Sequence, residues 1–313
     1  MRVLVTGASG FVGRALVVRL ALDPKLCIRA ALRRHAGTLP AGVESATVAD
    51  LDDQTNWRSA VAGADAIVHL AARAHVMRDT ASDPLREFRR VNVAGTLALA
   101  RQAADAGARR FVYVSSVKVN GEQGLYTEAD VPVPRDPYGA SKLEAEAGLR
   151  ELAAGTGLEI VIVRPPLVYG PGVKANFDAL IGAIARGIPL PFGAVRNRRS
   201  LVALDNLVDF IVMALDHPAA AGETFLVSDG HDLSTPDLIR GLARAMRRPA
   251  RLIPVPPFLL MAAATVGGRR DFAQRLLGSL QVDISKARRV LGWSPPISVE
   301  EGLRRAVASR SGS

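Results

Sequence analysis

The sequence predicts an α/β fold: a doubly wound parallel sheet followed by a smaller, mostly helical C-terminal lobe. Three observations carry that prediction. Strand-like runs alternate with helix-length segments through the first half, a glycine-rich turn joins the first strand to the first helix, and prolines and glycines break the alternation after Arg164. Strands alternating with helices of about 10–15 residues imply βαβ crossovers. A sheet built that way is covered on both faces.

The elements follow in order. Val3–Thr6 is a short apolar run ending in the glycine turn, and Phe11–Leu22 continues with helical spacing of its apolar residues. Cys27–Leu32, Ser45–Ala49 and Ala66–Leu70 read as the next three strands. Arg89–Ala106 reads as helix, Arg110–Ser115 as strand, Ser141–Gly155 as helix and Leu158–Arg164 as strand. Pro165, Pro166, Pro171, Pro189 and Pro191 then interrupt regular structure, and Pro254, Pro256 and Pro257 punctuate the tail.

Composition bounds the function. A chain of 313 residues has room for about two domains, and 49% apolar with 22% charged residues describes a protein with a substantial core. The single cysteine, Cys27, excludes an internal disulfide framework and points to a reducing compartment. The opening residues lack the apolar core of a signal peptide. Phe258 to Gly268, the longest apolar stretch, falls short of the roughly 20 residues of a membrane span and reads as core or an oligomer surface. The expectation is a cytoplasmic protein with no transmembrane segment. The net charge is +10, yet the arginines read as scattered and only 5% of residues are aromatic. That leaves few stacking platforms for bases, so no nucleic-acid partner is expected.

Thr6-Gly7-Ala8-Ser9-Gly10-Phe11-Val12-Gly13 lies between a strand and a helix, the context that makes a glycine fingerprint meaningful. Gly7 permits the tight turn, Gly10 lets the backbone approach a pyrophosphate, and Gly13 allows close packing of helix on strand. Free N–H groups at the helix N-terminus favour the anion. Residues 1–164 thus read as a dinucleotide-binding Rossmann domain and 165–313 as the substrate lobe, with the chain crossing back to the sheet. The second strand ends Ala31-Leu32-Arg33-Arg34, where NAD sites carry an acid for the ribose. Two guanidiniums suit a 2′-phosphate instead. NADP is the favoured cofactor, NAD the alternative.

Tyr138 and Lys142 stand four apart at the start of a helix and share one face. A neighbouring ammonium favours the phenolate and brings a tyrosine's pKa toward its working range. Ser116 closes a strand at its C-terminal end, where doubly wound proteins bind ligands. It is placed to hydrogen-bond a substrate oxygen.

The glycine motif, Asp50-Leu51, His69-Leu70-Ala71-Ala72, Asn92, Ser116 and the Tyr138/Lys142 pair together resemble an extended short-chain dehydrogenase/reductase over essentially the whole chain. The resemblance implies a hydride shuttle with Tyr138 as general acid-base, Lys142 on the nicotinamide ribose and Ser116 orienting the reacting oxygen. Asp50 and Leu51 would flank the adenine, Leu70–Ala72 would line the groove, and Ser9, Phe11, Val12, Asn92 and Pro165 would complete the cofactor site. His69 reads as structural, and no metal site is expected.

The second half resembles the nucleotide-sugar epimerase/dehydratase branch of that family through Arg164-Pro165-Pro166-Leu167-Val168-Tyr169-Gly170-Pro171-Gly172. By the same resemblance Asn176 and Arg199 would meet a nucleoside diphosphate, with Arg275 a second clamp, Phe192 against the base and Lys118 reaching the sugar or a phosphate. The substrate implied is UDP-linked. Val117-Lys118 stands where dehydratases carry Asp-Glu, which argues against dehydration. Ser115–Glu122, Val173–Phe177 and Leu204–Leu207 resemble bacterial C4-reductases acting on UDP-4-keto-6-deoxy-N-acetylhexosamines in O-antigen synthesis. With Arg33-Arg34 they favour NADPH-dependent reduction of a C4 ketone. The alternative is 4-epimerisation of a UDP-hexose or UDP-N-acetylhexosamine with tightly bound NAD. An intact Ser116, Tyr138 and Lys142 argues against a non-catalytic NADP sensor. Family habit implies a homodimer through a four-helix interface, with Thr96–Ala106 and Ser141–Leu152 contributing.

Overall fold

The computed structural model describes residues 1–33, 39–74, 83–268 and 270–308, with only the backbone of residues 175, 176, 270–272 and 275. The central strand, β1 (Arg2–Thr6), carries Val3, Leu4 and Val5, none of them exposed. Side chains alternate along a strand. Val3 and Val5 therefore enter one apolar layer with Leu16, Val17 and Leu20 of α1 (Phe11–Ala21), while Leu4 enters the layer on the opposite face. A sheet covered on both faces has no wet side, and its strands read as continuous apolar runs.

β2 (Cys27–Leu32) pairs with one edge of β1, and β3 (Glu44–Thr47) pairs with β2. After α2 (Arg58–Val61), β4 (Ala66–His69) pairs with the other edge of β1. α3 (Pro84–Arg89) runs through a π turn at Arg90–Ala94 into α4 (Gly95–Asp105), which leads to β5 (Arg110–Val114) beside β4. The short β6 (Gly124–Tyr126) precedes α5 (Pro137–Thr156), and β7 (Glu159–Arg164) pairs with β5. The chain then forms β8 (Leu167–Tyr169), α6 (Ala175–Ala185), β9 (Leu201–Ala203) and α7 (Leu204–Asp216), and returns to the sheet as β10 (Thr224–Leu226) beside β7. It ends with α8 (Thr235–Ala245), α9 (Pro257–Val266), α10 (Arg270–Leu277), β11 (Leu280–Val282), α11 (Ser285–Leu291) and α12 (Val299–Ala308).

The main sheet is thus seven parallel strands in the order β10-β7-β5-β4-β1-β2-β3. Strand order reverses between β1 and β4, and ligands of such sheets bind outside the strand ends at that switch point. α1 and α7 pack on one face; α2, α4 and α5 pack on the other. A third apolar cluster holds the lobe together, with Tyr169, Phe177, Ile181, Leu242 and Leu303 at its centre.

Three expectations change. The helix read from Arg89 begins at Pro84, because Asp83 caps it by accepting from the Arg86 N–H. The helix read from Ser141 begins at Pro137, capped by Asp136. The apolar stretch Phe258–Gly268 is not core: no residue of α9 is buried, and Phe258 is 70% exposed. Among the described residues no helix is long and apolar enough to cross a membrane.

Candidate active site

The glycines build the first part of the site. Gly7 has φ +65°, and a Cβ there would stand 2.7 Å from the Ala71 backbone nitrogen. Only glycine lets β1's exit loop lie this close to the segment after β4. A Cβ on Gly13 would meet the Gly7 carbonyl oxygen at 2.1 Å, so α1 rests directly on the loop. Gly10 is the N-cap of α1 and no side chain caps that end, while Ser9 and Gly10 are exposed. This is a backbone cradle with free N–H groups, and it fits a dinucleotide pyrophosphate. Phe11, Val12 and Leu70–Ala72 are half-buried around it.

Behind the cradle the strand ends are tied together. His69 is fully buried; its Nδ1 lies 2.6 Å from the Thr6 hydroxyl and its Nε2 2.9 Å from that of Thr96. Burial, then the nearby Lys142 charge, pushes the imidazole down to about 3, so it stays neutral and structural. Asn92 lies in the π turn and is 1% exposed. Its Oδ1 accepts from the Arg73 N–H, and its Nδ2 donates to the Arg73 carbonyl and the Ser141 hydroxyl. Asn92 spends its polar groups fixing the 70–73 segment against α5, so it positions the groove wall.

Ser116 and α5 form the second part. Ser116 caps a short 3₁₀ turn, Val117–Val119, accepting from the Lys118 N–H. A Cβ on Gly139 would sit 2.7 Å from the Lys118 carbonyl. That glycine lets the turn press against the start of α5, where the Ser116 hydroxyl hydrogen-bonds the Tyr138 phenol. Phe88 of α3 packs edge-on against the Tyr138 ring, centroids 6.1 Å apart. Burial, and after it the Asp136 charge, pushes the phenol up to about 12, while the Ser116 hydrogen bond pulls it down.

Lys142 lies one turn along and is 2% exposed. Its Nζ donates to the Val114 carbonyl at 2.8 Å and stands 4.3 Å from the centre of the Tyr113 ring. Burial pushes it down to about 7, opposed by the Glu146 charge. The expected ammonium effect on Tyr138 is therefore not the leading one in the protein alone. Desolvation of both groups outweighs it, which leaves Tyr138 a phenol able to donate.

Glu146, a further turn along, is fully buried and faces a buried Arg164. The Arg164 Nε donates to Oε1 at 2.9 Å and Nη2 to Oε2 at 2.5 Å, while Ser115 donates to Oε1 at 2.6 Å. This two-pronged, charge-assisted pairing locks α5 to β7. Sequence reading missed Glu146 and quoted Arg164 only as part of a motif, although the i+4 and i+8 spacing from Tyr138 places Glu146 on the same face.

The remaining candidates divide. Arg33 is 75% exposed and pairs with Asp50 at 3.1 Å, so each occupies the other at the rim. Leu51 is half-buried against α4, and Pro165 is buried with its carbonyl accepting from the Val117 N–H. The Lys118 ammonium pairs with Asp136 and lies 3.6 Å from Glu122. Sequence reading did not pair those carboxylates with it. Phe192 packs into the lobe's apolar cluster, where its ring is held by protein. Arg199 donates from Nη1 to the Gly278 carbonyl and is half-buried. Arg34 and the side chains of Asn176 and Arg275 lie outside the described residues. Among the described residues no cluster of His, Cys, Asp and Glu could hold a metal.

Residues 3–228 match the model of the NAD dependent epimerase/dehydratase family. The chain belongs to that family. It is 46% identical to a UDP-glucose 4-epimerase of Vibrio cholerae over 307 residues, covering 96% of this chain and 93% of that one. It is 32% identical to the N-acetyl-alpha-D-glucosaminyl-diphospho-ditrans,octacis-undecaprenol 4-epimerase of Escherichia coli O157:H7, covering 97% and 94%. The structure of MoeE5 in complex with UDP-glucose and NAD superimposes with a TM-score of 0.80 at 26% identity, covering 100% of both chains. Both of those sequence relatives are named as 4-epimerases.

Proposed function

We propose that the protein interconverts the C4 epimers of a UDP-linked hexose, with NAD held in the cradle of Gly7, Gly10, Gly13 and the α1 N-terminus. The observation that carries this reading is the 46% identity to UDP-glucose 4-epimerase across nearly the whole chain. The cofactor fits on the clearances described: backbone closeness at Gly7 and Gly13, and an uncapped helix end facing outward. Bound there, NAD supplies reversible two-electron redox chemistry at a sugar carbon.

The chain's own residues move the proton. Tyr138 Oη takes it from the C4 hydroxyl and returns it to the C4 oxygen on the other side of the cycle, as general base and then general acid. Ser116 hydrogen-bonds the phenol and favours its ionised form, so it works against the burial that holds the phenol up. Lys142 sits one turn along the same face, within reach of the same space. Glu146 and Arg164 hold the α5 face in place against β7. In this reading the protein works in the cytoplasm as a homodimer through α4 and α5, as family habit implies.

A second reading, NADPH-dependent reduction of a UDP-linked 4-keto sugar, is favoured by Arg33, exposed at the end of β2 where NAD sites carry an acid. One experiment separates them. The purified protein is incubated with UDP-glucose and no reductant, and UDP-galactose is followed by NMR. Its appearance supports the epimerase. No UDP-galactose, together with consumption of NADPH on a UDP-4-keto sugar, supports the reductase.

A further inference from the structure

A helix that is apolar all round is normally buried. α9 is the opposite: it reads Pro-Phe-Leu-Leu-Met-Ala-Ala-Ala-Thr-Val, carries no charge and has no buried residue. Phe258 is 70% exposed, Leu259 48% and Val266 92%. Ile253 precedes it, also exposed, and the pairing of Leu190 with Leu252 brings an exposed Ile188 to the same region. The surrounding sequence is strongly biased. From Arg240 to Arg270 there are seven arginines and no Asp, Glu or Lys, in a chain whose net charge is +10. The expectation of scattered arginines fails here. Arg244, Arg247, Arg248 and Arg251 are exposed, and Arg251 reaches the Gly187 carbonyl next to Ile188.

We propose that α9 and its arginine-rich approach form a peripheral docking surface for an anionic lipid bilayer. The combination of exposed Phe and Leu with flanking arginines matches interfacial segments, in which apolar side chains enter the acyl boundary and cations meet the headgroups. At 10 residues α9 is about 15 Å long, half a bilayer core, so it lies on the surface without spanning. Charge complementarity argues against a second copy as the occupant. A two-fold contact sets a patch against itself, and here it would face one belt of arginines with another. A nucleic acid fits poorly because the patch's one aromatic residue, Phe258, sits on an otherwise aliphatic face. The inference does not depend on which reaction the protein catalyses.

The test is co-sedimentation of the full-length protein with vesicles. We expect binding to phosphatidylcholine vesicles containing phosphatidylglycerol, little to phosphatidylcholine alone, and weakening with salt as surface charges are screened. A Phe258→Ser/Leu259→Ser variant should bind about tenfold less or worse, from lost apolar insertion. An Arg247→Glu/Arg248→Glu variant should lose the preference for the anionic lipid. Both change exposed positions, so melting temperature and sugar-nucleotide turnover should match the parent. The proposal is overturned by no binding to the anionic vesicles or by equal binding of the variants. It is also overturned if the serine variant converts a larger oligomer to a smaller one without changing vesicle binding, which would assign the face to a second copy. Retention of the parent by a polyglutamate resin but not by vesicles would assign the patch to an acidic protein, and would overturn it too.

Discussion

Helices α1 and α5 both start beside strand ends of the sheet, and their first turns are built oppositely. α1 begins at Gly10 with no side-chain cap, and its loop is cut to backbone by glycines. α5 begins at Asp136, whose carboxylate accepts from the Gly139 N–H at 2.7 Å and pairs with Lys118, with Pro137 as the first helical residue. An open end offers N–H groups to an anion. A closed end offers nothing to a ligand but fixes the direction of every side chain after it. The difference divides the work: α1 holds, and α5 mounts the groups that react.

Four experiments break or sharpen that division. Tyr138→Phe should lower turnover by at least about 10²-fold, the usual reach of a general acid-base, while dinucleotide binding measured by fluorescence is unchanged. Gly13→Ala should act in the reverse sense. Its Cβ would press on the Gly7 carbonyl, so we expect a loss of about 1–3 kcal/mol in stability by denaturant melting with weakened dinucleotide binding. Asp136→Ala removes the α5 cap and should cost about 1 kcal/mol. It also removes a charge that raises the Tyr138 pKa, so the limb on which turnover rises as the phenol ionises should move to lower pH.

The smallest effect concerns Lys142. Its pKa is pushed from 10.5 down to about 7 by burial, so between these values the unfolded chain holds a proton that the folded protein has lost. Stability from this group therefore rises with pH across that window. Lys142→Met should flatten the rise, read as melting temperature against pH in protein without added dinucleotide. Tyr138, raised to about 12, contributes with the opposite sign only above its ordinary value of 10.

How far the sequence reveals this comparison depends on how local each constraint is. The cradle was legible because Gly10 and Gly13 answer to clearances within the loop itself, and the spacing carried Gly7 with them although its own clearance is against Ala71. Tyr138 and Lys142 were legible by helical spacing, and the prolines just before Tyr138 mark the helix start. The Lys118–Asp136 pair was not legible because its members stand 18 residues apart, and no local pattern joins them. The same holds for Arg164 with Glu146, and for Asn92, whose partners include Ser141 49 residues on. That α9 is not core was hidden for a different reason. Hydropathy records that a segment is apolar, but only packing decides whether anything covers it.

The most direct test of the central claim is to unfold the purified protein and identify the dinucleotide it releases. NAD should be released, having been retained through purification by the cradle and regenerated in each cycle without outside reductant. Release of NADP, or of no dinucleotide from a protein that consumes added NADPH, would contradict it and restore the reductase.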